Sequence, residues 1–229
     1  MEIEGCLLPD DRLYSAQEFV WVRPDGPDGT VLLGVVAPMT AFLGPVAAVH
    51  YRVGTGPIGV GRSLGWIETS RATWAIRAPV PLCVQAVNAE LPDHPRWLND
   101  DPYDRGWFVR ARAPDGTGAP LVPTVAAREA FRSWIEEHRV RCWPQTPDAR
   151  LHEIGVECSA VLSRLNDEIH AQPVGAAVLL VTDDPTSPIE MERWSDQTGY
   201  PILARHREGP LHLFLVRKIA DPVPRRPPG

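Results

Sequence analysis

The stretch LHEIGVECSAVLSRLNDEI, residues 151–169, sets a single cysteine between an apolar turn and a run with helical periodicity. With a helix starting near Ser159, Cys158, Leu162, Leu165 and Ile169 recur at spacings of 4, 3 and 4 and share one face. That position admits two chemistries. As a small hydrophobe, Cys158 opens a core stripe. As a partly exposed thiol, it meets unpaired backbone N–H groups and the positive end of the helix dipole, which draw its pKa below the usual value of about 8.5. A thiolate so placed can attack a persulfide and carry the outer sulfur onward.

The other candidates are weaker. Cys6, Cys83 and Cys142 lie far from one another and from Cys158, with no C-x-x-C pair. Neither a disulfide framework nor a closed zinc site is expected, and free thiols in a reducing cytoplasm fit this usage. Cys142, 16 residues before Cys158, could resolve a persulfide as a disulfide, but a free linker thiol is the simpler expectation. Cys83 lies in a strand-like run and reads as core. Seven histidines form no i,i+4 pair, so no metal site is proposed. Gly54, Gly56 and Gly59 spell G-x-G-x-x-G, but Pro57 and strand and turn chemistry follow them where a dinucleotide site needs a helix to begin. A cluster of β-turns is the better reading.

The chain that must position these groups has 229 residues, 44% of them hydrophobic, enough for one large or two small cores. Its net charge of −6 argues against unspecific attraction to polyphosphate. The opening MEIEGCLLPDDR has neither the basic nor the apolar region of a secretory signal, and no apolar run approaches the ~18 residues of a membrane span. Of 23 basic residues, Lys218 alone is a lysine.

Residues 14–112 read as short β-segments broken by Gly and Pro: FVWVR, TVLLGVV, VAAVHYRV, GRSLGWIET, AIRAPVPLCVQAVNA and GWFVRARA. They predict a small sandwich or barrel. The spacing of Val125, Phe131, Trp134 and Ile135 predicts a helix over 124–139, capped by Thr124, that closes this domain. A proline-punctuated linker spans 141–148. Residues 149–219 then follow a βαβαββ pattern, an α+β unit of two layers, with Gly199 as a helix C-cap. The tail 220–229, rich in proline, is expected to be disordered.

The segments LHEIGVEC, VGAAVLLVTDDPTSPIEMERW and LHLFLVRK resemble the strand-turn-cysteine, the middle strand with second helix, and the last strand of the TusA family of sulfur carriers. The resemblance places Cys158 on the family's persulfide-bearing cysteine. It departs from the family's C-P-x-P, reading Cys158-Ser159-Ala160-Val161. Proline at the first helical position fixes φ, whereas Ser159 holds the turn less firmly. Asp183, Asp184, Thr186 and Ser187 match a family loop and read as caps for the second helix.

The earlier stretches YSAQEFVWVR, WIETSRAT, APVPLCVQAVN and PRWLNDDPYDRGW are similar to the glycine cleavage H protein. That family implies an all-β flattened sandwich of the lipoyl type over 1–140. Its lipoyl lysine stands in an E-S-x-K context, which here reads Glu68, Thr69, Ser70, Arg71. A guanidinium is always protonated and cannot form the lipoyl amide, and Lys218 lies in the other domain. No lipoate is expected. Trp66, Trp74, Trp97 and Trp107 read as core or rim packing, and the Arg71 hairpin is a candidate docking surface.

Together the two resemblances imply a cytoplasmic sulfurtransferase-type carrier. Cys158 would take sulfane sulfur from a cysteine desulfurase or rhodanese-like donor and relay it to an acceptor protein, with the H-like part as docking module. The alternative is a non-catalytic scaffold of two degenerate carrier domains. Residues 149–219 hold seven basic and ten acidic side chains, which argues against direct contact with nucleic acid.

Overall fold

The computed structural model describes residues 1–26, 28–113 and 121–223. The chain divides into two compact units, Met1–Cys142 and Trp143–Gly229.

The N-terminal unit is built from antiparallel sheets. Seven strands run in the order Val122–Pro123, Leu13–Ser15, Val20–Pro24, Thr30–Val35, Trp107–Arg112, Leu82–Val87 and Gly56–Ile58. A second sheet places Ser63–Thr69 between Val46–Tyr51 and Thr73–Arg77. Inward-facing side chains such as Trp21, Leu33, Leu64, Ile67, Ile76 and Phe108 are fully buried, the alternation expected of sheets with one face on a core. Gly65 has to be glycine for room: a Cβ there would lie 2.1 Å from the carbonyl oxygen of His50. Without that close approach the central strand of the smaller sheet could not sit against its neighbour.

Three sequence expectations change here. The run AIRAPVPLCVQAVNA is two strands, because Pro79 and Pro81 lack the N–H a ladder needs. A helix, Ala37–Leu43, occupies a stretch read as connection. In the helix Thr124–Glu137, Thr124 is the first helical residue and Pro123 precedes it as cap; the Thr124 hydroxyl donates instead to the carbonyl of Pro9 at 3.0 Å. Phe131 and Ile135 are buried as expected, but Val125 is 84% exposed and Ala127 takes its place inward.

Cys142 is not a free linker thiol, nor is Cys6 free. The two form a disulfide that ties the end of this unit to its beginning. With a Cα–Cα distance of 4.7 Å the geometry is that of an ordinary bridge. The Cys142 N–H also donates to the carbonyl of Glu4, at 3.1 Å. Across 136 residues of separation, no spacing rule in the sequence could pair them. This bond removes the argument from cysteine usage for a reducing compartment. Cys83 is also corrected: it is exposed, on the outward face of Leu82–Val87.

The C-terminal unit is a four-stranded sheet, Ala149–Glu153, Ala177–Thr182, Leu211–Arg217 and Ile202–Glu208 in spatial order, with only the first pair parallel. The helices Cys158–Ala171 and Ser187–Thr198 lie on one face. Val161, Leu165 and Ile169 from the first helix, and Met191 and Trp194 from the second, pack on Val178, Leu180, Phe214 and Val216. The buried stripe runs 161–165–169; Cys158 is on the same face one turn earlier, at the helix's first position, where it is only partly buried. Trp194 Nε1 donates to Asn166 Oδ1 at 2.8 Å, pinning helix to helix.

On the opposite face Leu179, Val181, Leu213 and Leu215 are covered in part by Trp143 and Leu203. Gln145 and Asp148 are bonded to Gly175 and Ala177, so residues expected to form a linker belong to this fold. Gly199 adopts the left-handed C-cap conformation (φ 79°), and a Cβ there would meet the backbone of Val223 at 2.5 Å. The backbone of Val223, in the tail, thus passes close to Gly199, while 224–229 lie outside the described residues.

Candidate functional site

Cys158 is the first residue of its helix and is partly exposed. Glu157 precedes it with extended backbone (φ −62°, ψ 143°) and supplies no side-chain cap. The cap comes from elsewhere. The Asp184 carboxylate accepts the backbone N–H of Cys158 while also taking the Thr186 N–H at 2.8 Å and the Thr186 hydroxyl at 2.7 Å. Asp183 Oδ1 accepts the N–H of Gly155 at 2.8 Å. The DDPTSP loop was expected to cap its own helix; it holds the mouth of the other one.

This arrangement decides the electrostatics. The thiol of Cys158 is pushed up from its ordinary value, first by partial burial and then by the negative charges of Asp184 and Glu190; a hydrogen bond from Thr186 opposes them. The expected depression is thus overturned. The helix end that would stabilise a thiolate already faces a carboxylate, so its partial positive charge is largely spent on Asp184. Asp184 itself is held below the usual carboxylate range, chiefly by the backbone and hydroxyl bonds from Thr186.

Such a site can hold a neutral thiol beside one hydroxyl donor and two carboxylates. Sequence reasoning placed Cys158 but missed Asp184 and Thr186 as its neighbours. The signal was there in their helix-capping side chains, but which helix they cap is a matter of tertiary packing.

The second candidate is the turn between Ser63–Thr69 and Thr73–Arg77. Thr69 bonds to Ala72 through its own backbone and hydroxyl, and that hydroxyl also accepts the N–H groups of Arg71 and Ala72. The tip is therefore rigid, and Arg71 is exposed on it. On the strand leading into the turn Trp66 stacks with His50 of the neighbouring strand Val46–Tyr51 at 4.8 Å, and the Trp66 indole donates to Glu68. Trp66, Trp74, Trp97 and Trp107 are all half-buried, a rim arrangement. Lys218, the one lysine, donates from Nζ to the carbonyls of His170 and Gln172, so its ammonium closes the end of the helix Cys158–Ala171. Cys142 is bonded to Cys6 and is not available to resolve a persulfide at Cys158.

Among the described residues no group of three or more His, Cys, Asp or Glu side chains is gathered for a metal, and no helix is long and apolar enough to cross a membrane.

The first unit is thus an antiparallel β-sandwich with an exposed hairpin, and the comparisons place it. The family described as glycine cleavage H-protein matches residues 12–130, and the chain belongs to that family. Glycine cleavage system H protein of Vibrio atlanticus is 32% identical over 128 residues, covering 56% of this chain and 98% of that protein. Glycine cleavage system H protein 5 of Aquifex aeolicus is 27% identical, with 62% and 98% covered. A crystal structure of a glycine cleavage system H protein from Mycobacterium marinum, 26% identical, covers 53% of this chain and 98% of that one with a TM-score of 0.47. The C-terminal unit lies outside the matched span.

Proposed function

We propose that the protein is a sulfur carrier in which a TusA-like C-terminal unit bears a persulfide on Cys158 and a non-lipoylated H-like unit serves as docking module. The observation that supports this is the partly exposed Cys158 thiol at the first position of a helix, against the Thr186 hydroxyl. In the transfer, the Cys158 thiolate attacks the outer sulfur of a donor persulfide. The donor's S–S bond breaks, the donor leaves as a thiolate and takes a proton, and Cys158 holds the outer sulfur as a new persulfide. An acceptor thiolate then attacks that outer sulfur and Cys158 leaves. One S–S bond forms for each broken, and no external oxidant is needed.

The raised pKa of Cys158 fits storage better than spontaneous release, because a thiol of higher pKa is a poorer leaving group. Sulfur then moves on when a suitable partner docks. In this reading Arg71 stands where the family's lipoyl lysine would, and it cannot form the amide; the N-terminal unit binds partners and carries nothing. The donor is a cysteine desulfurase or rhodanese-like protein, and the acceptor is a protein thiol.

The test is intact mass after incubation with a cysteine desulfurase and cysteine and, in a second arm, with a persulfidated rhodanese-like donor. Wild type should gain the mass of one sulfur atom and Cys158→Ala should gain none. Cys83→Ser guards against labelling of the other exposed thiol and should load as wild type does. A wild-type protein that gains nothing from either donor class would support the second reading, two modules that only bind partners, which Ser159 in place of the family's proline favours.

A further inference from the structure

The glycine-rich segment dismissed as a dinucleotide motif borders a cleft of about 510 Å³ in the N-terminal unit, lined by Arg52, Arg62, Arg77, Val53, Ile58 and Ser63 among others. No helix starts there; Gly56–Ile58 is an edge strand. The three arginines come from one end of the three-stranded sheet. Arg52 follows Val46–Tyr51, Arg62 precedes Ser63–Thr69, and Arg77 ends Thr73–Arg77. Their backbones are fixed: Arg52 N donates to Leu64, Arg62 N to Gly59, and the carbonyl of Arg62 accepts from Ala78. Neighbouring strands lie about 4.8 Å apart, so three long side chains leave from adjacent points of one sheet end. This is the end opposite the Arg71 turn, roughly 20 Å away along seven residues of strand.

The charge is unbalanced. Several arginines elsewhere in the unit sit on carboxylates: Arg12 on Asp11, Arg105 on Asp101, Arg110 on Asp25, Arg141 on Glu4. Around the cleft, none of the three has a carboxylate within ion-pair distance among the described residues, and no acidic side chain lines it. Arg77 is steadied by a neutral bond from Nη1 to the carbonyl of Gly61, at 3.1 Å. In a chain of net charge −6, three guanidinium groups lining one cleft, none on a carboxylate among the described residues, repel one another. An anion relieves that repulsion. One carboxylate satisfies one guanidinium fork, whereas the oxygens of a phosphate group satisfy several.

We propose that this cleft is a phosphate-binding site for a small phosphorylated ligand, its anion clamped by Arg52, Arg62 and Arg77 and its apolar part against Val53 and Ile58. The volume falls in the range of small-molecule sites.

The experiment titrates the full-length protein with inorganic pyrophosphate at constant ionic strength, followed by calorimetry and by the amide resonances of Gly59 and Gly61. Saturable one-to-one binding is expected. Arg52→Gln, Arg62→Gln and Arg77→Gln should each weaken it about tenfold or more, with the ligand-free protein still folded and melting cooperatively because all three side chains are exposed. Arg128→Gln and Cys158→Ser should leave it intact. Adenosine monophosphate in a parallel arm separates the sources: binding at least as tight as pyrophosphate assigns the site to phosphate esters, and weaker binding assigns it to free inorganic phosphates. The proposal is overturned if citrate binds equally well, if the response does not saturate, or if Arg62→Gln and Arg77→Gln bind as wild type does.

Discussion

The Arg71 turn and the mouth of the Cys158 helix are held in the same way and offer opposite chemistry. At each, one side chain pins the backbone: the Thr69 hydroxyl at the hairpin, the Asp184 carboxylate at the helix end. The hairpin then presents a guanidinium that accepts no covalent group. The helix mouth presents a thiol whose ionisation its neighbours control. In both places the backbone is held by a side chain, while the chemistry on offer is set by the residue type at the tip.

The largest effect should follow from changing that residue. Arg71→Lys, incubated with a lipoate ligase, lipoate and ATP, should gain one lipoyl group by mass, while wild type gains none. Lys218 supplies the only other side-chain amine, and its Nζ is engaged by two carbonyls. Lipoylation of the wild-type chain would break the contrast between the two tips at once.

The two units should also differ in their dependence on oxidation. The Cys6–Cys142 bond closes most of the N-terminal unit, and the C-terminal unit has no counterpart among the described residues. Constraining the unfolded chain over so long a loop is worth about 5 kcal/mol in the chain-entropy account. A reductant should lower the melting transition of the N-terminal unit by several degrees and leave that of the C-terminal unit in place. Calorimetry with and without reductant checks this, and equal shifts in both would contradict it.

Within the C-terminal unit, Arg164 forms an ion pair with Glu153, whose side chain is 6% exposed. This pair joins the first strand to the Cys158 helix. Arg164→Ala leaves a buried carboxylate without its cation and should cost about 1–3 kcal/mol in chemical denaturation. Glu153→Gln, which removes the charge as well, should cost less. If the two variants are equally destabilised, packing accounts for the loss and the charge pair does not.

Much of this was legible in the chain. The order of strands and helices follows from periodicity and from Gly and Pro punctuation, and Gly199 marked a helix end that the structure has. Cys158 at a helix start was legible for the same reason. What escaped were pairings across long separations. Cys6 meets Cys142, and Asp184 reaches the amide of Cys158, because sheets and helices bring them together, and neither leaves a local pattern. The arginine cleft escaped for a related reason: Arg52, Arg62 and Arg77 are unremarkable until three strands end side by side. Cys83 was misplaced because strand alternation fixes two faces without saying which of them is inward.

The smallest expected effect bears most directly on the site. Asp184 contributes a negative charge and an N-terminal cap at one position, and the two roles can be separated. Asp184→Asn keeps an acceptor for the N–H groups of Cys158 and Thr186 but removes the charge. The Cys158 pKa should fall, because the carboxylate is among the groups that hold it up. Its alkylation by iodoacetamide should then show its inflection at lower pH than in wild type and run several-fold faster near neutral pH. Cys83→Ser in both backgrounds isolates the signal. The stability effect has the opposite sense and its own pH window. Since Asp184 is held below its ordinary value, its contribution is present above about pH 4 and disappears as the pH falls through the depressed value. The variant should therefore be slightly less stable than wild type at pH 7, by no more than about 1 kcal/mol for an exposed cap, and equal to it in strong acid. An unmoved alkylation profile would show that burial and Glu190 set the thiol without Asp184, and that a docking partner could not tune it by neutralising Asp184.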